Sequence, residues 1–304
     1  MADGYGGKAS GQAHHVRDGV MTLTLANDRI RLTIVPEYGA RVTELWDRST
    51  GRQWLIPGDL SPDTGADAIY GAAEACGWDE CFPTVAPCEH PSWGKLRDHG
   101  LLWGKAWEVV EAAVDRIETQ YVSPAFRFVR KLSLQDATLT ADYAVTNRAA
   151  VPFAYLWSQH CLLSTTLEDK IVLSGLDEMI ANSAPFDWPH HHARDLSLIG
   201  TACDGFALKS YAMTPTVASA EIVNPDGGIR FCWDGIPAFG LWLSYGGWPT
   251  HDPVHQVALE PATAAADHLA AAEAIGQAKT VESHVTHRWS VRVTLTGPNR
   301  RTDN

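Results

Sequence analysis

Apolar and polar residues alternate along most of this chain. In residues 21–25, Met21, Leu23 and Leu25 are separated by Thr22 and Thr24, and residues 30–34 repeat the pattern. The same period of two runs through 126–134, 139–147, 219–223, 229–233, 239–245, 255–260 and 289–295. Successive side chains of an extended chain point to opposite faces, so this period predicts half-buried strands in antiparallel sheets. Turn-forming stretches such as ANDR, PEYG, NPDGG and YGGWP separate the runs. Two segments suggest short helices: 65–75, and the alanine-rich 262–274. No linker or fixed repeat interrupts the strand pattern. The expectation is an all-β chain: one large antiparallel β-sandwich over 19–296 with few short helices, between loose polar tails at 1–18 and 297–304.

Composition narrows the function classes. The chain has 304 residues, 45% of them apolar and 20% charged, which suits an ordinary globular protein. A formal net charge of -12 argues against a nucleic-acid backbone or an anionic membrane as partner. The first residues lack a basic start followed by an apolar run, and no stretch reaches the roughly 20 apolar residues that span a bilayer. A cytoplasmic protein with reduced thiols is therefore expected. Cys76, Cys81 and Cys88 are spaced by five and seven, unlike a paired zinc-ligand motif, and His90 does not complete one. These three read as buried free thiols, and Cys161, Cys203 and Cys232 as reduced thiols too. Adjacent histidines on a strand face opposite ways, so of His190, His191 and His192 only the outer two could share an ion. A loop capping a cleft suits them better. His251, His255 and His268 read as surface or hydrogen-bonding residues. No metal and no cofactor is expected.

The candidate chemistry lies where polar residues interrupt this pattern. RDHGLLWGKAWEV (97–109) sets Asp98, His99 and Gly100 in a turn just before Trp103, Lys105 and Trp107. His160 ends an apolar strand, on the same face as Ser158. Asp204 precedes another apolar run, and Glu260 closes the HQVALE strand before Pro261. A buried carboxylate is costly unless it meets a donor, a charge or a cleft. Each residue alone reads as a satisfied ion pair or cap. Twelve tryptophans, several in turns, add flat apolar faces of the kind that stack on sugars.

In chain order these segments resemble the aldose 1-epimerase, or galactose mutarotase-like, family. The segments are YGARVTELWDRSTGRQWL, GWDECFPTVAPC, DHGLLWGKAWEV, WSQHCLL, CDGFALKS and HQVALEPATAAADHL. They span roughly residues 20–295. The resemblance implies a large β-sandwich with a sugar-binding concave face, no metal, and interconversion of the α and β anomers of a free aldose. It implies His160 as the acid that protonates the ring oxygen and Glu260 as the base that takes the anomeric hydroxyl proton. His99 and Asp204 would then hold sugar hydroxyls, with Trp103 or Trp107 as a wall. The phosphate-sugar branch carries an arginine where this chain has Trp103, so a 6-phosphate is not expected, although Arg41, Arg97 and Lys105 remain available to an anion. Trp78, Asp79 and Glu80, in the preceding loop, suit neutral hydroxyls.

The residue types fit that reaction without the family. Opening a hemiacetal needs one proton delivered and one removed, which an imidazole and a carboxylate share at neutral pH. No Gly-x-Ser-x-Gly nucleophile elbow occurs. Two other functions remain: a sugar-binding protein without catalysis, or a glycoside hydrolase pairing Glu260 with Asp204 or Glu80.

Overall fold

The structure is a computed structural model that describes residues 14–17 (backbone only), 20–58, 69–213 and 219–297. Two large antiparallel sheets face each other. One has eight strands, ordered through Lys170–Ser174, Ser219–Asn224, Gly227–Asp234, Thr286–Thr296, Thr138–Asn147, Phe126–Gln135, Arg116–Val122 and Glu108–Ala112. The other has twelve strands. Its middle runs Arg41–Asp47, Trp78–Cys81, Ser158–Leu163, His255–Ala262, Ala238–Tyr245 and Phe206–Met213.

The predicted strands all form, and Phe126–Gln135 of the eight-stranded sheet alternates as expected. Phe126, Phe128, Arg130 and Leu132 turn inward from Phe126–Gln135 while the residues between them are half-exposed. The core between the sheets takes Leu32, Leu45 and Cys161 from one layer and Phe128, Val145, Phe231 and Val291 from the other.

The helix expectations are corrected. Residues 69–75 hold turns and no helix, and 65–68 lie outside the described residues. Of 262–274 only Leu269–Ala274 is helical, because the Glu-Pro strand runs on to Ala262. Residues 14–17 form a strand paired with 20–23, so this part of the expected tail joins the sheet. Residues 1–13 and 298–304 lie outside the described residues. Among the described residues, no helix is long and apolar enough to cross a membrane.

The centre of the twelve-stranded sheet departs from half-burial. Every residue of Trp78–Cys81 and Ser158–Leu163 is buried, and so is all of His255–Ala262 but its first. One face of these strands meets the sandwich interior; loops from 69–104 cover the other, concave face. Asp79, Glu80, Ser158, Gln159, His160, Gln256 and Glu260 are consequently all buried. Buried polar groups require partners, and their partners define the site.

Candidate active site

Strand register builds the site. Asp79 pairs with His160 across one strand boundary. Ser158 lies opposite Ala262 and Leu162 opposite Ala258, which sets His160 level with Glu260. Glu260 in turn pairs with Gly240, and Gly240 with Tyr211. Directly opposed residues share a face, with Cβ atoms about 4.5–5.5 Å apart. Asp79, His160, Glu260 and Tyr211 therefore form one row across the concave face. Gly240 keeps space in that row, because a Cβ there would come within 3.3 Å of the Glu260 carboxylate and 3.2 Å of the Tyr211 ring.

His160 is held from one side. Its Nδ1 lies 3.0 Å from Asp79 Oδ1 and 3.1 Å from the Tyr70 hydroxyl. Arg41 donates to the other Asp79 oxygen at 2.8 Å, and to the Glu74 carbonyl and the Cys76 sulfur. Burial alone would raise the Asp79 carboxyl, but Arg41 and His160 outweigh it and hold it at about 2. An ionised Asp79 fixes a proton on His160 Nδ1 and leaves Nε2 for other chemistry.

Glu260 is fully buried. Its Oε2 accepts from the Lys209 ammonium and from Ser158 Oγ, while Oε1 has no hydrogen-bond partner among the described residues. An unpaired oxygen on a buried carboxylate is expensive, and here it is the one Glu260 atom open to a further donor.

The turn at 98–100 brings in a third group. His99 and Gly100 both have left-handed backbones, with φ of 58° and 73°. Gly100 is required there, since a Cβ would lie 2.1 Å from the Phe82 carbonyl oxygen. A left-handed histidine is a strained choice, of the sort kept at functional positions. The His99 ring stacks on Tyr70 at 3.6 Å and meets the His160 ring at 4.6 Å. Its Nδ1 is 3.0 Å from Asp98 Oδ1. Burial, offset in part by the Asp98 carboxylate, pushes the His99 ring below the usual imidazole range. Cys81, paired with Ser158, completes the group: ligand-forming atoms of Cys81, His99 and His160 lie within 4.8 Å of one another.

The sequence expectations divide accordingly. His160, Glu260 and His99 come together. Arg41 and Asp79 join them as supports: both Asp79 oxygens and both terminal nitrogens of Arg41 are committed to protein partners, and Arg41 Nε alone is unpaired among the described residues. Trp103 is 1% exposed and packs edge-on to Tyr70, donating to the Asp98 carbonyl; it backs the site instead of lining a surface. Arg97 covers the Trp103 ring and bonds the carbonyls of Gly100 and Trp103, so it clamps the loop. Trp107 sits in the sandwich interior against Phe128. Lys105 is half-buried and is tied in through its backbone carbonyl, which accepts from Gly39 N–H.

Trp78 and Glu80 are corrections, since both point into the sandwich. Glu80 accepts from Arg130, Tyr143, Trp78 and Trp157 at 2.9–3.1 Å. Burial pushes its carboxyl up to about 7 against the pull of Arg130 and these donors. Asp204 is a further correction. It binds Arg194 and Thr201 beside an open hollow of about 870 Å³ that also takes in His191 and His192. The neighbouring Phe206 pairs with Tyr245, five residues along the strand from the Gly240–Glu260 row, on the order of 17 Å away.

Several site residues were not anticipated. Lys209 and Tyr211 alternate on Phe206–Met213, and a lysine within that apolar strand was the available signal. Tyr70 carried none, because its role depends on a loop crossing over His99 and His160. Half-buried Trp242 and Trp248 meet edge to face, packed beside Tyr70, Trp103 and Leu162.

No family model and no curated protein matches this chain. Solved structures do match in fold. The Slr1438 protein of Synechocystis sp. PCC 6803 is 16% identical, covering 94% of this chain and 99% of its own, with a TM-score of 0.72. A galactose mutarotase-like protein of Clostridium acetobutylicum is 12% identical over 94% of this chain and 98% of its own, also with a TM-score of 0.72. A galactose mutarotase related enzyme of Lactobacillus acidophilus is 15% identical over 92% and 99%, with a TM-score of 0.69. Over nearly its whole length, then, the chain has the galactose mutarotase-like fold.

Proposed function

We propose that this protein is a mutarotase, interconverting the α and β anomers of a free aldose or aldose derivative. The observation that carries the reading is the row in which His160 stands level with Glu260, one ring anchored by Asp79 and one carboxylate oxygen left unpaired. Several of the solved structures that share this fold are named as galactose mutarotase-like or related proteins, which supports the same reading.

Glu260 Oε1 takes the proton from the anomeric hydroxyl. The C1–ring-oxygen bond breaks, and protonated His160 delivers its Nε2 proton to the ring oxygen. Asp79 stabilises the charged imidazole before that transfer, and Lys209 holds the charge of Glu260. Rotation about C1–C2 presents the other carbonyl face, and the two transfers run in reverse. No nucleophile and no net change in composition are needed. A hydrolase is disfavoured, since Glu80 faces away and Asp204 lies too far along the sheet to complete the pair of carboxylates roughly 5–9.5 Å apart.

Saturation-exchange NMR of anomeric protons, over neutral, phosphorylated and acidic sugars, tests the reading. At least one sugar should exchange faster with the protein than in buffer. Sugars that bind without faster exchange would make it a binding protein instead.

A further inference from the structure

We propose that Cys81, His99 and His160 form a binding site for a thiophilic divalent transition-metal ion of the zinc class, and that the ion silences the mutarotase site by occupying His160. The second half rests on the function proposed above; the first stands on geometry alone.

Three ligands of two types converge: one thiol and two imidazoles, with their ligand atoms within 4.8 Å of one another. Zinc–nitrogen and zinc–sulfur bonds of about 2.0–2.3 Å set tetrahedral ligand atoms roughly 3.4–3.8 Å apart, so about an ångström of side-chain movement closes the site. Thiolate and imidazole favour zinc, cobalt or copper over magnesium or calcium.

The outer contacts point the same way. His160 Nδ1 is bound to the Asp79 carboxylate and His99 Nδ1 to the Asp98 carboxylate. Each ring is thereby left with Nε2 free. Ligating histidines nearly always place the other ring nitrogen on a carboxylate or carbonyl, which fixes the tautomer and strengthens the ligand. Two such pairs flank one buried thiol, and neither His99 nor Cys81 has a part in the proton transfers assigned to His160 and Glu260.

On binding, the Cys81 S–H bond breaks, its proton leaves to solvent and the sulfur lone pair forms the bond to the metal. Three protein ligands leave the fourth position to water or a sugar hydroxyl. With Nε2 of His160 on the metal, the ring has no proton to deliver.

The test starts from chelator-treated full-length protein titrated with zinc, and separately with cobalt(II). One ion per chain is expected, with a thiolate-to-cobalt charge-transfer band in the near ultraviolet. Asp98→Asn should weaken zinc by about 10–100-fold, and Cys81→Ser or His99→Asn by more. Circular dichroism would show each variant folded, and the cobalt spectrum of the wild type needs no variant. Failure of the wild type to take up zinc, a cobalt complex without the thiolate band, or wild-type affinity in both Cys81→Ser and His99→Asn would overturn the site. Zinc-loaded protein should lose anomer exchange and regain it with chelator; equal exchange with and without zinc would overturn the silencing. Stoichiometric zinc uptake by a protein that exchanges no sugar would support the metal site and remove the mutarotase function.

Discussion

Asp79 and Glu80 are neighbours in the chain, equally buried, and opposite in character. Asp79 faces the concave side, where its two oxygens hold His160 and Arg41 beside a carboxylate left partly unpaired. Glu80 faces the sandwich interior, where four donors surround it. The difference teaches that burial alone does not mark a functional acid here. What separates the two acids is their company: Glu80 meets Arg130, Tyr143 and two indoles, whereas Asp79 braces an imidazole in the same row as the partly unpaired Glu260 carboxylate.

The sharpest way to break this comparison is through activity. Glu260→Gln and His160→Asn should each lower the anomer-exchange rate by on the order of 10² to 10⁴, in protein that circular dichroism shows to be folded. Exchange at wild-type rates in both would remove their assigned roles. On the other face, Glu80→Leu should instead cost the fold about 3–5 kcal/mol in denaturant titration, because it strands the buried Arg130 guanidinium. A Glu80→Leu protein as stable as wild type would mean that the interior cluster is not what holds the sheets together.

Acidity gives the next contrast, with opposite signs. Glu80 is raised from 4.5 to about 7 in the folded protein, so its contribution is complete below pH 4.5 and lost as pH rises through 7, about 3 kcal/mol in all. Asp79 is lowered from 3.8 to about 2, so its contribution is complete above pH 3.8 and lost as pH falls through 2, about 2 kcal/mol. Stability measured in pH steps should lose the first slope in Glu80→Gln and the second in Asp79→Asn. Slopes of the same sign would contradict the contrast. The smallest effect is expected at Asp204. Asp204→Asn should change stability by less than about 0.5 kcal/mol and leave exchange within about twofold of wild type; a large loss of exchange would return Asp204 to the site.

Much of this was legible because strand formation is local. The alternation at 126–134 and 139–147 predicts strands of the eight-stranded sheet without reference to anything distant, and burial along the first follows the same period. Glu260 and His160 were legible as candidates for a related reason, since polar residues inside apolar strands demand partners. The helix at 65–75 misled because alanine content outweighed the loop that carries Tyr70. Asp204 misled because its place before a strand said nothing of which end of that strand the site occupies.

The sequence by itself determined the all-β sandwich and the strands that build most of it, consequences of a period of two read along a local stretch; it set Asp79 and Glu80 together in a loop, and the strand that turns them to opposite faces emerged only in the structure. Which of those faces became the site was decided only by tertiary structure, because both are buried and local periodicity is blind to what covers each one. The register that sets His160 level with Glu260, and the turn that carries His99 to Cys81, join segments up to a hundred residues apart in the chain. Such contacts are fixed by the packing of whole sheets, so no stretch of the chain contains them.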